Sequence, residues 1–237
     1  MRTNKDAVSQ FSTMGALMQG LYEADFNYAQ IKKYGNFGIG TFNELDGEMV
    51  GLDGKFYQVK SNGSVIIVDD SSKSAFCIVK FFSPDKTINL TGQNDYASII
   101  ACLEKEIASK NIFYAAKIEG RFSFVKARSV PRQAKPYKTL SEAAKEQGVF
   151  EFKDIDGTLL GFRFPDYMSE INMAGWHLHF ISKDKSAGGH VLDCVISDGY
   201  IAIDESNDFY IKLPQTADFL KADFGKLDKE ELKKIEK

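Results

Sequence analysis

The chain has 237 residues, 43% hydrophobic and 27% charged, ordinary values for a globular protein and enough length for one large core or two small ones. Thirty Lys and Arg against 33 Asp and Glu leave a net charge of −3, which gives no support for nucleic-acid binding and leaves any small anion to be drawn by a local site. No stretch reaches the roughly 18 apolar residues of a membrane helix, and the N-terminus lacks the apolar core of an export signal, so no membrane partner is expected and the expected location is the cytoplasm.

Met14, Leu17, Met18 and Leu21 recur at helical spacing, so the first 35 residues read as helical, with a second short helix over 28–33 stopped by Gly35. From Phe37 the pattern becomes short strands punctuated by Asp46-Gly47, Asp53-Gly54, Asn62-Gly63 and Asp69-Asp70. Asp-Gly and Asn-Gly supply the positive φ that hairpin turns need. Residues 55–60 and 64–68 pair as a hairpin, and 76–82 make a further strand ended by Pro84. Residues 96–109 carry Ile99, Ile100, Leu103 and Ile107 on one stripe and form the clearest helix. Residues 113–118 and 122–127 read as a hairpin around Glu119-Gly120, and 150–154 with 158–164 as another around Asp156-Gly157. Between them, the proline-flanked 131–136 segment separates an N-terminal region, 1–130, from a C-terminal region, 131–237, within what is expected to be one compact unit. Thr139-Leu140-Ser141-Glu142 fits a capping box, with Gly148 as a stop signal. Strands at 175–182, 189–196, 200–204 and 209–213 follow, then a charged helix from about Asp228. The predicted class is α+β: two strand-rich subdomains with antiparallel and mixed sheets and a few helices.

Cys77, Cys102 and Cys194 are far apart and none lies in a CxxC pair, so they read as free thiols and small apolar core residues. The three histidines are concentrated in 14 residues: His177 and His179 in Gly-Trp-His-Leu-His-Phe-Ile-Ser, and His190 after Gly188-Gly189. On a strand, His177 and His179 share one face, about 7 Å apart at roughly 3.3 Å per residue. Trp176, Leu178 and Phe180 share the other face, which is core. A turn near residues 184–188 brings His190 beside the pair. Three neutral imidazoles keep the ion's charge intact and leave room for water or substrate, the pattern of a catalytic metal site, with Zn2+ the default and another divalent first-row metal open. Cys194, four residues after His190, is the one thiol that regular alternation places on the same face. A cupin-like metal enzyme and a non-catalytic metal-dependent small-ligand module are the rival readings; Lys183 stands where a cupin places its Glu.

The stretch 171–193, with its HxH and Gly-Gly-His, resembles the alpha-acetolactate decarboxylase family. So do Phe11-Ser12-Thr13-Met14-Gly15-Ala16-Leu17, Phe37-Gly38-Ile39-Gly40-Thr41-Phe42-Asn43, Leu45-Asp46-Gly47-Glu48-Met49 and Val125-Lys126-Ala127-Arg128-Ser129-Val130-Pro131, in order from about residue 11 to 213. The resemblance implies a zinc lyase that turns 2-acetolactate into (R)-acetoin and carbon dioxide, built on two sheets with the metal between them, as a homodimer. It makes His177, His179 and His190 the metal ligands, Glu48 an active-site acid and Arg128 the catalytic, substrate-binding arginine. Thr41 is expected to line the pocket and bind substrate. A further acid comes from the family's C-terminal end; Glu236 is the best match, with Glu230 or Glu231 as alternatives. By position alone, Glu48 would be a strand-edge charge, Arg128 a surface charge and Glu236 part of a frayed end.

Overall fold

Period-two alternation and β-branched and aromatic residues produce two β-sheets in the computed structural model, which describes residues 5–169 and 171–224. The strands in chain order are β1 (Val8–Phe11), β2 (Phe37–Thr41), β3 (Glu48–Leu52), β4 (Lys55–Val59), β5 (Val65–Ile67), β6 (Phe76–Lys80), β7 (Lys86–Asp95), β8 (Phe113–Ser129), β9 (Gly148–Phe164), β10 (Gly175–Ser182), β11 (Gly188–Ser206) and β12 (Phe209–Lys212). The first sheet runs β12-β1-β6-β2-β3-β4-β5, antiparallel except for the parallel β1–β12 pair. The second runs β10-β9-β8-β11-β7, and β10 also pairs with β11, so it coils until four strands close into a ring. The helices are short: α1 (Met14–Met18), α2 (Tyr28–Ile31), α3 (Tyr96–Glu106), α4 (Leu140–Ala143) and α5 (Ala217–Lys221). The mixed, strand-rich α+β class is as read from the sequence.

Several elements differ from the sequence reading. Val8–Phe11 is a strand, and the N-terminal helix is a single capped turn, its Thr13 hydroxyl accepting from the Ala16 amide at 3.1 Å. Lys86–Asp95, where Ile88 and Leu90 alone alternate toward the second core among polar and largely exposed side chains, is a ten-residue edge strand. The two predicted hairpins around Gly120 and Gly157 are not hairpins; each is one 17-residue strand, and the two glycines are register partners in the middle of the β8–β9 ladder. These glycines serve close approach: a Cβ at Gly120 would meet the Asp198 carbonyl oxygen at 2.1 Å. Residues 189–196 and 200–204 likewise belong to one strand, β11, with register shifts along it. Gly148 begins β9 and does not stop α4, which ends at Ala143. The helix expected from Asp228 lies outside the described residues.

The sheets do not divide at Pro131. β7 and β8 join the second sheet from the N-terminal side, and β12 returns to the first sheet from the C-terminal side. Ile39 and Val50 of the first sheet meet Ala115, Phe162 and Ile181 of the second in a shared core. Tyr114, Leu178 and Phe180 face the other way, into a core capped by Ile99 and Leu103 of α3. Truncating one of these fully buried aromatics, such as Phe162, to Ala would cost about 3–5 kcal/mol.

Candidate active site and metal centre

Strand alternation delivers polar side chains to the inter-sheet face at the end of that shared core. Ile39 and Val50 face the core, and two residues further along each face lie Thr41 on β2 and Glu48 on β3, directly paired in register. On β10, Ile181 faces the same core and His179 and His177 continue its side, while Trp176, Leu178 and Phe180 fill the opposite one. On β8, Val125 and Ala127 belong to the second core, which turns Arg128 toward the first sheet. His190 pairs with His179 on one side and with Arg128 on the other. Gly189 permits that closeness: its φ is +140°, and a Cβ there would meet the Arg128 carbonyl oxygen at 2.6 Å.

The three imidazoles cluster with ring centroids 4.8–5.5 Å apart. His177 Nε2 and His190 Nδ1 lie 2.9 Å apart. His179 Nδ1 is 2.9 Å from the Met49 carbonyl oxygen, which can only accept, so Nδ1 carries a proton and Nε2 is the nitrogen that could hold a metal. That Nε2 lies 3.6 Å from Glu48 Oε2. Burial, followed by the charge of Arg128, lowers His177 to about 3 and holds His190 well below its ordinary value. Neutral imidazoles are what metal coordination requires.

Each histidine offers a ligand nitrogen, all within 4.8 Å of one another. With zinc–nitrogen bonds of about 2.0–2.1 Å, a small side-chain adjustment lets the three share one ion. The donor set therefore fits a divalent metal. Arg128, only 4% exposed, donates from Nη1 to Gln147 Oε1 at 2.9 Å. The Thr41 hydroxyl donates to the Gly47 carbonyl at 2.7 Å.

All six sequence-predicted residues within the described chain line one cavity of about 40 Å³: Thr41, Glu48, Arg128, His177, His179 and His190. Glu236, Glu230 and Glu231 lie outside the described residues. Sequence reasoning missed the apolar wall, to which Met14, Leu17, Leu45, Phe76, Val130 and Leu140 contribute. An apolar residue facing a small cavity carries the same pattern as one facing core, so no signal distinguished them. Cys194 is not beside the histidines. A register shift between Val191 and Asp193 reverses the alternation and puts its thiol in the second core, where burial raises it to about 12.

Fold and cavity together define a two-sheet α+β protein with a buried histidine group able to hold a metal ion, flanked by an arginine and a carboxylate. The family model described as Alpha-acetolactate decarboxylase matches residues 8–226. The Alpha-acetolactate decarboxylase of Methanosarcina mazei is 44% identical over 98% of this chain and 81% of its own length. That of Bacillus subtilis strain 168 is 41% identical over 93% of this chain and 87% of its own. A crystal structure of alpha-acetolactate decarboxylase from Bacillus subtilis strain 168 superposes with a TM-score of 0.95 at 39% identity, covering 97% of this chain and 99% of that one. The chain belongs to the alpha-acetolactate decarboxylase family.

Proposed function

We propose that this chain decarboxylates 2-acetolactate to (R)-acetoin and carbon dioxide, using a divalent metal, zinc by its donor set, held by His177, His179 and His190. The observation that carries this reading is the convergence of three buried imidazoles, one buried guanidinium and one carboxylate on a single inter-sheet cavity in a chain of this family.

Acetolactate bears a carboxylate and a hydroxyl on one carbon, next to a ketone. When the bond to the carboxylate breaks, carbon dioxide leaves, the electron pair passes toward the ketone, and the carbon must then gain a proton on one face. A metal in this site supplies a Lewis acid for the ketone oxygen. Arg128 offers a planar fork to the carboxylate and keeps it in the cavity's dry interior, where its charge is felt most strongly. Glu48 stands where it can accept the substrate hydroxyl proton or return one to carbon. The apolar wall of Leu45, Val130 and Leu140 suits the two methyl groups and excludes water from the carbon that is protonated. Thr41, bonded to Gly47, positions the turn that carries Glu48.

The same reading assigns Glu236 as the C-terminal acid, with Glu230 or Glu231 as alternatives, and the protein as a cytoplasmic homodimer. No helix among the described residues is long and apolar enough to cross a membrane.

The test is acetoin formation from racemic acetolactate by purified protein, before chelation, after it, and after zinc is restored, with spontaneous decarboxylation subtracted. Metal-dependent acetoin, lost in His179→Ala, is the expected result. Bound metal with acetoin only at the background rate would overturn the reading in favour of a non-catalytic binding module.

A further inference from the structure

In the turn that joins β2 to β3, between Thr41 and Glu48, Leu45 lines the cavity and is only 3% exposed. Its backbone is left-handed, with φ +62° at Glu44 and +54° at Leu45 in succession. Among the described residues, the other non-glycine positions with positive φ are Ser12, Glu44, Asp53, Asp154 and Lys185, all polar and none with an aliphatic side chain to bury. Glycine enters this region freely, and Asn or Asp by bonding its own backbone; a leucine does neither, and its Cβ is strained there. Two residues on, the same turn does use glycine, at Gly47 with φ +85°, where a Cβ would meet the Val59 carbonyl oxygen at 2.3 Å.

A strained pair of this kind persists only where the surroundings over-determine it. The Glu44 amide donates to the Tyr22 carbonyl at 2.7 Å, and the Glu44 carbonyl accepts from the Gln133 amide at 2.7 Å. The Glu44 carboxylate accepts from Arg132 Nε. The Asn43 side chain accepts from the Ala24 amide at 3.2 Å and donates to the Ala24 carbonyl at 2.9 Å. Gly47 donates to the Val130 carbonyl at 3.1 Å, and Asp46 pairs with Lys60 at 2.8 Å. The turn is therefore gripped from the N-terminal segment, from the stretch after β8 and from the end of β4. What this frame holds in place is one isobutyl group at the cavity. A glycine or an asparagine at 45 would make the same turn with less strain and leave the cavity wider.

We infer that Leu45 is the specificity-determining residue for the alkyl group on the carbon that loses carbon dioxide. This rests on the decarboxylase reading above. Leu45 shares its turn with Glu48, which that reading sets at the hydroxyl of this carbon, so the alkyl group on the same carbon is the one that meets the leucine. A methyl group fits, and a further methylene runs into a side chain whose backbone is pinned.

The test measures kcat/KM of zinc-loaded wild type, Leu45→Ala and Leu45→Met on three substrates: acetolactate, 2-ethyl-2-hydroxy-3-oxobutanoate, which is longer at the carbon in question, and 2-hydroxy-2-methyl-3-oxopentanoate, which is longer at the acyl end. Ratios between substrates on one preparation do not depend on the folded fraction. Wild type is expected to disfavour the ethyl homologue by about tenfold or more, the scale of one methylene in a filled pocket. Leu45→Ala should raise the ethyl-to-methyl ratio by about tenfold and leave the acyl-end ratio within about twofold of wild type. Leu45→Met, similar in volume but unbranched, should move the first ratio the same way by a smaller factor. A wild type that does not discriminate, an unchanged ethyl-to-methyl ratio in both variants, or an equal rise for both homologues would each overturn the inference, the last because it marks general loosening. If wild type forms acetoin only at background, the decarboxylase reading fails by itself. Calorimetry then decides the role of Leu45, using 2,3-dihydroxy-2-methylbutanoate and its 2-ethyl homologue, whose reduced ketone prevents loss of carbon dioxide: weaker binding of the ethyl compound to wild type, equalised in Leu45→Ala, sustains size selection, and an unchanged difference overturns it.

Discussion

Two buried polar clusters bridge the two sheets, and they are built in opposite ways. At one, Lys80 of β6 meets Asp204 of β11 at 2.7 Å, with side chains only 1% and 4% exposed. Lys80 Nζ also donates to the Asp6 carbonyl, the Glu205 carbonyl and the Ser206 hydroxyl, while Asp204 Oδ2 accepts from the Ser83 amide at 2.7 Å. The cluster is a closed knot: opposite charges, short bonds, partners on every side. At the other, three imidazoles, Arg128 and Glu48 surround a cavity, and Arg128 donates to the amide oxygen of Gln147. Desolvation is costly at both. The knot offsets it internally and joins the sheets; the second cluster lines a cavity between them. A buried charge is thus informative about function only together with what its neighbours leave open.

The sharpest break of this contrast is His190→Ala. It should drop acetoin formation to the uncatalysed rate and metal content, by elemental analysis, to background, while the knot keeps the protein folded by circular dichroism. Next in size is Asp204→Ala, which strands Lys80 as a buried charge and should cost about 3–5 kcal/mol in denaturant unfolding, with kcat per folded molecule unchanged. Arg128→Lys keeps the charge but loses the planar fork; kcat/KM should fall by about a hundredfold, and full activity would show that any cation suffices.

The smallest effect is expected from replacing the whole knot. Burial pushes the Asp204 carboxyl above its ordinary range, more than its hydrogen bonds to Lys80 and Ser83 bring it down. The pair therefore holds the sheets in register at little net gain, and Lys80→Met with Asp204→Leu should change stability by no more than about 1 kcal/mol at neutral pH. The sign with pH follows. A carboxyl whose folded pKa is raised binds its proton more tightly folded than unfolded, so its contribution is full below the ordinary value of 3.8 and is lost as pH rises through the raised folded value. The wild type should lose ground against the double variant over that rise; a difference independent of pH would mean that burial of Asp204 is not costly.

Much of the site was legible in the sequence because its chemistry sits on strands. His177 and His179 declared a shared face through simple alternation, and the polar, glycine-ended turn near residues 184–188 announced the return that sets His190 beside them. Where alternation broke, the reading failed: the irregularity after Val191 sent Cys194 to the wrong core relative to expectation. Gly120 and Gly157 read as turns because a glycine needed for φ and one needed for close packing look alike in one dimension; only the neighbouring strand shows which it is. Lys86–Asp95 was missed for the converse reason, since only Ile88 and Leu90 alternate onto its core face and two residues are too short a pattern to read.

The sequence by itself determined the strand-rich class, the family motifs, and the identity and shared face of the histidines, because these depend on residue type and local periodicity. Only the tertiary structure decided that β8 pairs with β11 and sets Arg128 beside His190, that Thr41 and Glu48 from the other sheet face the same cavity, and that an amide 19 residues from Arg128 bonds its guanidinium. Those facts are pairings between distant segments, set by how the second sheet coils, and coiling is a property of many packed side chains at once that no local stretch encodes.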